Sequence, residues 1–304
     1  MVNIEKLKSE RNIQELLEFG IININKPSGK TSFDVSDFVR KTLKAFEVRK
    51  TSHFGTLDPK VTGVLPIALN RACKLTGFFI GQDKEYIGIM RIHEEIPLEK
   101  IKKAIKEKFL GKIIQIPPVK SRVKRQERER EIKKFKLLEK NGKDILFHAV
   151  VQGGTYIRKL ISDLGDYMKT GAHMLELRRT KASIFYEENK NYPSINLFEF
   201  EKAVSEYKNG NEESLKKIII PAEIISELYP VIEVKKISLK KLFTGKPILH
   251  ANLKVKKDVK FEKNKIVSVF SGNKFVGMYK IVNEKEIFAK PEFVLQPIKE
   301  NYLP

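Results

Sequence analysis

The chain is short of cysteine, of acid and of long apolar runs. Of its 304 residues only Cys73 is a cysteine, which excludes an internal disulfide framework and any zinc site built on cysteines. The longest stretch without a charged side chain runs from Ile145 to Ile157, 13 residues, too short for a helix to cross a bilayer. Glu5, Lys6, Lys8, Glu10 and Arg11 interrupt any apolar stretch near the start, so the chain is read as carrying no export signal. His53, His173 and Cys73 lack the pairwise spacing of zinc ligands and the aspartates are scattered, so no metal site is expected. At 41% hydrophobic residues wholesale disorder is excluded too. The expectation is a globular, intracellular protein without a membrane segment.

Acid is outnumbered. Against 38 Asp and Glu stand 59 Lys and Arg, a formal net charge of +21. Such a surplus attracts polyanions, chiefly nucleic acid. A lysine-rich solvated surface, from codon bias or a hot habitat, would produce the same total. Distribution separates the two readings. Lys120 to Lys136 holds nine basic side chains against three acidic, among them Lys124, Arg125, Arg128, Arg130 and Lys133. Val231 to Pro304 holds 16 Lys against 7 acidic residues. Two separate basic regions suit a long ligand better than a small molecule.

Periodicity predicts an amphipathic helix over the first 18 residues, with Ile4, Leu7, Ile13, Leu16 and Leu17 on one side. Ile21–Asn25 reads as a strand and Lys26–Gly29 as a turn. A helix follows from about Ser32, capped by Thr31 or Ser32, with Phe33, Val35, Phe38, Val39, Leu43 and Phe46 as its apolar side. Thr51 to Gly63 reads as a loop and Val64–Leu69 as a buried strand. Strands are expected at Lys84–Ile92 and Ile145–Val151, and helices at Leu98–Phe109, Tyr156–Met168, Leu197–Tyr207 and Glu213–Ile220. After Pro230 the pattern turns to short β-rich runs punctuated by Gly245, Gly272 and Gly277, as in a small barrel. The fold class expected is α+β: a domain of residues 1–230 around a central mixed β-sheet, then a β-barrel of residues 231–304.

Two stretches carry chemistry. In His53-Phe54-Gly55-Thr56-Leu57-Asp58-Pro59 the proline holds Asp58 out of the α region, and a carboxylate on such a loop can reach a ligand. An isolated Asp-Pro is ordinarily a turn or a cap. In Gly153-Gly154-Thr155-Tyr156-Ile157-Arg158 the glycines permit close backbone approach, and Arg158 emerges in the first turn of a helix. Alone it would pass for a surface arginine. Beside Asp58 it would keep that carboxylate ionised and oriented.

Together these stretches resemble the TruB family of RNA pseudouridine synthases, and within it the archaeal homologues of dyskerin. Lys26-Pro27-Ser28-Gly29-Lys30-Thr31-Ser32 matches the family's first motif, and His53 to Leu65 its catalytic motif. Lys84-Glu85-Tyr86, Pro117-Pro118 with Ser121 and Lys124 downstream, Gly154 to Arg158, and Gly171-Ala172-His173 with Leu177-Arg178-Arg179 follow in the family's order. The tail resembles a PUA domain, by position and pattern more than by motif, and residues 1–19 an extension packing on it.

The resemblance implies a synthase that breaks the N-glycosidic bond of uridine, turns the base and rejoins it through carbon 5, with no cofactor. Asp58 would be the catalytic carboxylate, as nucleophile at C1′ or base at C2′. Tyr86 would stack on the extruded uracil, Arg158 would pair with Asp58, and Leu177 would wall the pocket. His53 would insert near the vacated stack, and Lys26 would support the loop or contact RNA. Lys124 and Arg125, in a basic thumb, would bind RNA. The substrates implied are the TΨC loop of tRNA and, through H/ACA guide RNA, ribosomal RNA. The partners implied are a small zinc-ribbon subunit, a barrel subunit and a kink-turn-binding protein, in an archaeal cytoplasm. A non-catalytic RNA-binding scaffold of the same fold is the alternative; it would need none of Asp58, Tyr86 and Arg158. The chain departs from the family in three places. Phe54 stands where serine is expected and would alter how the loop meets RNA. Val150-Val151-Gln152 precedes the glycines, and Glu127, Glu129 and Glu131 make the thumb unusually acidic.

Overall fold

The computed structural model describes residues 2–118, 123–254 and 261–296. It divides into two compact units: residues 21–219, and residues 1–20 together with 220–304. The helices are α1 (Ile4–Glu10), α2 (Ile13–Glu18), α3 (Ser32–Thr42), α4 (Thr76–Ile80), α5 (Leu98–Lys108), α6 (Ile157–Tyr167), α7 (Leu197–Lys208), α8 (Glu213–Ile218) and α9 (Leu239–Leu242). Among the described residues none is long and apolar enough to cross a membrane.

The larger unit is built on a mixed sheet of β1 (Gly20–Lys26), β2 (Thr51–His53), β3 (Thr62–Leu69), β4 (Lys84–Ile92), β5 (Gly111–Gln115), β6 (Arg128–Asn141), β7 (Asp144–Val151), β8 (Ala172–Ala182) and β9 (Phe185–Tyr186). The main path runs β1-β3-β8-β4-β7-β6-β5, with β2 on β3 and β9 on β8. β3 and β8 pair parallel, whereas β4 is antiparallel to both β7 and β8. Side-chain alternation explains β4: Lys84, Tyr86, Gly88, Met90 and Ile92 are turned inward, and the residues between them outward. β7 repeats the pattern with Ile145, Phe147, Ala149 and Val151. β3 is buried along nearly its whole length, as a strand covered on both faces must be.

Helix α6 lays Ile157, Leu160, Ile161 and Leu164 against the core. Helix α3 starts at a capping box between Thr31 and Asp34, and buries Val35 and Val39. Phe33, expected on its apolar side, is 71% exposed instead, because the buried stripe passes through Ser32 and Ser36. The expected loop from Thr51 to Gly63 contains β2, whose three residues pair with β3. The basic stretch over Arg128–Lys136 is part of β6, held between β5 and β7.

In the smaller unit β10 (Ile219–Pro221) carries the chain in, and β11 (Val231–Glu233), β12 (Ile248–Leu249), β13 (Ile266–Ser271), β14 (Lys274–Glu284) and β15 (Ile287–Val294) follow. The last five form a separate half-barrel sheet in the order β11-β13-β14-β15-β12. Ile232, Val234, Leu242, Val267, Val269, Val276 and Phe288 fill its interior. The N-terminal segment belongs to this unit. The single expected helix is broken at Arg11-Asn12, where Asn12 caps α2 with its partner Glu15. Arg11 then reaches the fully buried Glu223 carboxylate, 2.8 Å at one of its two contacts, and Phe19 stacks on Phe275 at 5.6 Å.

Gly165 in α6 allows the helix to touch the start of β8: a Cβ there would lie 2.1 Å from the Ala172 nitrogen. Gly→Ala inside a helix ordinarily gains about 1 kcal/mol. Here Gly165→Ala is expected to lose about 1–3 kcal/mol by overpacking in urea unfolding, and a gain in stability would contradict this packing.

Candidate active site

The Asp58 loop is held by backbone hydrogen bonds at almost every residue. Val61 N–H donates to Asp58 O at 3.0 Å, closing a turn with Pro59 at its second position, where a fixed φ is preorganised. Ser32 Oγ accepts from Leu57 N–H at 2.7 Å and donates to Leu57 O at 3.0 Å. The Lys26 ammonium donates to Pro27 O at 2.8 Å and Pro59 O at 3.0 Å, and Gly29 N–H also donates to Pro59 O. The motif from Lys26 to Ser32 is therefore the brace of the motif from His53 to Leu65. Lys26 is buried, with its ammonium engaged by two carbonyls of the loop region. Burial holds its pKa down, while the charges of Asp58 and Asp34 raise it.

Arg158 sits in the first turn of α6. The turn is fixed from below by Gln115, a buried residue at the end of β5 whose amide accepts from Tyr156 N–H at 3.0 Å and donates to Tyr156 O at 3.2 Å. From there the Arg158 guanidinium donates to Asp58 Oδ2 at 2.9 Å across 100 residues of chain. Both side chains are open to solvent, 67% and 51% exposed. Before the helix, Gly154 takes a φ of +86°, with the Arg130 guanidinium lying where a side chain would go. The residues before the glycines, a departure from the family, seat this turn: Gln152 N–H donates to Glu131 O and its side-chain oxygen accepts from Glu131 N–H.

The strands supply the rest. On β4 and β8, Tyr86 lies opposite Arg179 and Gly88 opposite Leu177, so Tyr86, Leu177 and Arg179 share one face. Leu177 covers Gly88, where a Cβ would come within 3.0 Å of its Cδ1. His53 ends β2 with Nε2 3.2 Å from Thr56 Oγ1; burial and the positive charge of Arg179 hold its pKa below the usual range. Lys84 is buried, its ammonium donating to the carbonyls of Phe79, Ile80 and Gln82. Desolvation, and then the Arg179 charge, push it down to about 7.

The Phe54 ring belongs to the core. It is buried and stacks on Phe79 at 4.3 Å, with Phe185 beside both. Lys124 and Arg125 are exposed, Glu129 pairs with Lys112 at 3.0 Å, and Ser121 lies outside the described residues. Periodicity gave no sign of Gln115 as a brace, since it acts on the backbone of Tyr156, 41 residues away. A cleft of about 490 Å³ beside Phe109 and Lys159, and one of about 540 Å³ beside Arg91 and His93, contain none of the candidate residues. Asp58 and Arg158 instead lie on an open surface, which admits a large substrate.

Two measurements check this geometry. An exposed ion pair contributes about 1 kcal/mol or less, so Arg158→Ala is expected to keep its melting temperature within a few degrees while turnover falls; a large thermal loss would make the pair structural. Lys84, with its folded pKa lowered, binds its proton less tightly folded than unfolded. Its cost is complete below pH 7 and is relieved as pH rises towards 10.5, with unfolding free energy gaining about 1.4 kcal/mol per pH unit. Urea titrations between pH 7.5 and 9.5 should show this slope in the parent and not in Lys84→Met.

Comparison with known proteins gives the family. Residues 43–157 match the TruB family pseudouridylate synthase N-terminal domain, and residues 158–226 the tRNA pseudouridylate synthase B C-terminal domain. The chain is 37% identical over 297 residues to "Probable tRNA pseudouridine synthase B" of Methanocaldococcus jannaschii, covering 97% of this chain and 86% of that protein. It is 44% identical over 214 residues to the protein of the same name from Nanoarchaeum equitans, covering 70% and 59%. Among solved structures, the matching chain of a Cbf5–Nop10–Gar1 complex superposes with a TM-score of 0.85 at 34% identity, covering 95% of this chain and 89% of that one. That of an H/ACA RNP bound to a substrate RNA containing 2′-deoxyuridine reaches 0.83 at 32%, covering 95% and 89%. On these matches, which run through nearly the whole chain, this chain belongs to the TruB family of pseudouridine synthases.

Proposed function

We propose that this protein converts uridine to pseudouridine in RNA with Asp58 as the reacting carboxylate, in the TΨC loop of tRNA and, with H/ACA guide RNA, in ribosomal RNA. The observation that carries the reading is the Asp58–Arg158 pair, built on a braced loop and open to solvent. A uridine within folded RNA must leave its stack to reach it, at a cost of a few kcal/mol. Tyr86 then offers a ring for the uracil, Leu177 an apolar wall, and His53 a flat, neutral side chain near the gap. Arg158 aims the Asp58 carboxylate through its hydrogen bond to Oδ2. The carboxylate acts on the ribose, where C1′ is open to attack and C2′ to proton abstraction. A deuterium isotope effect at C2′ separates the two. No cofactor enters, because the new C–C bond makes the exchange favourable.

The +21 charge and the exposed Lys124 and Arg125 supply the grip on phosphates. The half-barrel of the smaller unit is read as a PUA module that binds RNA without chemistry. In the guided mode the partners are a zinc-ribbon subunit, a barrel subunit and a kink-turn-binding protein, and the protein works in the cytoplasm. Support comes from solved relatives found with Nop10, Gar1 and substrate RNA.

Asp58→Asn is expected to abolish tritium release from 5-tritiated uridine in tRNA, and in a guide-RNA complex, with RNA affinity changed no more than a few fold. One carboxylate adds little to binding a polyanion. Substantial turnover by a clean Asp58→Asn preparation would remove Asp58 from the central role.

A further inference from the structure

Arg179 is the largest fully buried side chain of the molecule's described residues, 1% exposed. Its guanidinium donates through Nε to Val64 O at 2.8 Å and through Nη2 to Gly55 O at 3.0 Å, and the residue stands directly opposite Tyr86 where β8 pairs with β4. Both acceptors are neutral backbone carbonyls. Among the described residues no carboxylate lies within ion-pair distance of it. The Lys84 ammonium stem lies close by: the two side chains flank the place where a Gly55 side chain would stand, at 3.4 and 3.5 Å. An arginine buried without an acid costs several kcal/mol, and a merely structural position could be filled by an apolar side chain more cheaply. The three residues it meets are also not a random set. Gly55 belongs to the loop of Asp58, Tyr86 to the strand that is to receive the base, and Val64 to the strand joining them.

We infer that Arg179 is a positioning residue of the isomerisation: it ties the Asp58 loop to Tyr86 and places an uncompensated positive charge behind the tyrosine on which the uracil is to sit. The inference rests on the function proposed above. When the C1′–N1 bond breaks, its electron pair stays with the uracil, which becomes an anion. The pair is then used to form the C1′–C5 bond, and the proton on C5 leaves while N1 gains one. Between these events the base carries negative charge, and a fixed cation in a water-excluded place stabilises it without reorganising. Arg179 reaches the reaction through Tyr86 and Gly55 and touches no reacting atom.

The test compares Arg179→Gln, which keeps donors and loses the charge, with Arg179→Lys, which keeps the charge. Single-turnover rates and RNA affinity are measured on uridine RNA and on the same RNA with 5-fluorouridine at the target, followed as loss of the target nucleoside. Fluorine withdraws electrons, so the departing base needs less help. Arg179→Gln is expected to slow uridine turnover at least 100-fold with RNA affinity within about threefold, and to be at least tenfold less impaired on 5-fluorouridine. Arg179→Lys should lie within tenfold of the parent. An equal defect on both substrates, or no defect in a folded Arg179→Gln, overturns the assignment. If Arg179→Gln does not fold, a folded Arg179→Lys that loses 100-fold or more overturns it equally. Parent protein without turnover would sink the functional reading itself, whereas an active parent with an equally active Arg179→Gln sinks only this inference.

Discussion

The arrangement of the larger unit depends on how closely β3 approaches β8. Gly63 pairs with Arg179 in the parallel register, and a side chain at Gly63 would lie 2.2 Å from the Arg179 carbonyl oxygen. Its φ of +102° is a conformation that side-chain-bearing residues avoid. This one contact sets where β3 begins, and hence where the loop before it ends. It also aligns β8 so that the Arg179 side chain passes under that loop to Gly55 and Tyr86. The Asp58 loop is in this sense an extension of the strand pairing, fixed at one end by β3 and at the other by β2.

Rigidity and exposure are divided between different atoms of the same loop. Its backbone is held by Ser32, Lys26, Gly29 and Arg179, most of them buried, while the Asp58 carboxylate projects to solvent. A backbone satisfied from inside leaves the side chain free for an external ligand without losing its aim. The same division holds for Arg158, whose helix start is fixed by the buried Gln115 while the guanidinium is exposed. An ion pair between two such groups adds little to stability. Its value lies in orientation.

The smaller unit solves a different problem. A five-stranded sheet of this size has a limited core, and its outer surface carries many lysines. The N-terminal segment adds Phe19 on Phe275 and the Arg11–Glu223 pair to it. Glu223 is wholly buried, and only a charged partner with several donors makes such a carboxylate tolerable. Residues at opposite ends of the sequence thus complete one folded unit.

What the sequence by itself determined was the apolar rhythm and the motifs. Alternation in Lys84–Ile92 and Ile145–Val151 and helical spacing in Ile157–Tyr167 appear in the structure as β4, β7 and α6, because each has one clearly buried face. β5, β6 and β8 were not legible: in β6 the charged residues far outnumber the buried Ile132 and Phe135, in β5 and β8 no regular alternation of apolar residues marks a buried face, and pairing with neighbours makes all three strands. Phe33 departs from its local pattern for a related reason: the pattern put it on the apolar side of its helix, whereas the buried stripe runs through Ser32, Val35, Ser36 and Val39 and leaves Phe33 exposed. The motifs identified Asp58, Tyr86 and Arg158 as members of one set, and only the folded chain decided which groups brace them. Lys26, Gln115 and Arg179 act on backbone carbonyls and amides that every residue possesses. A sequence carries no mark of which backbone group, 33, 41 or 124 residues away, a buried polar side chain will satisfy.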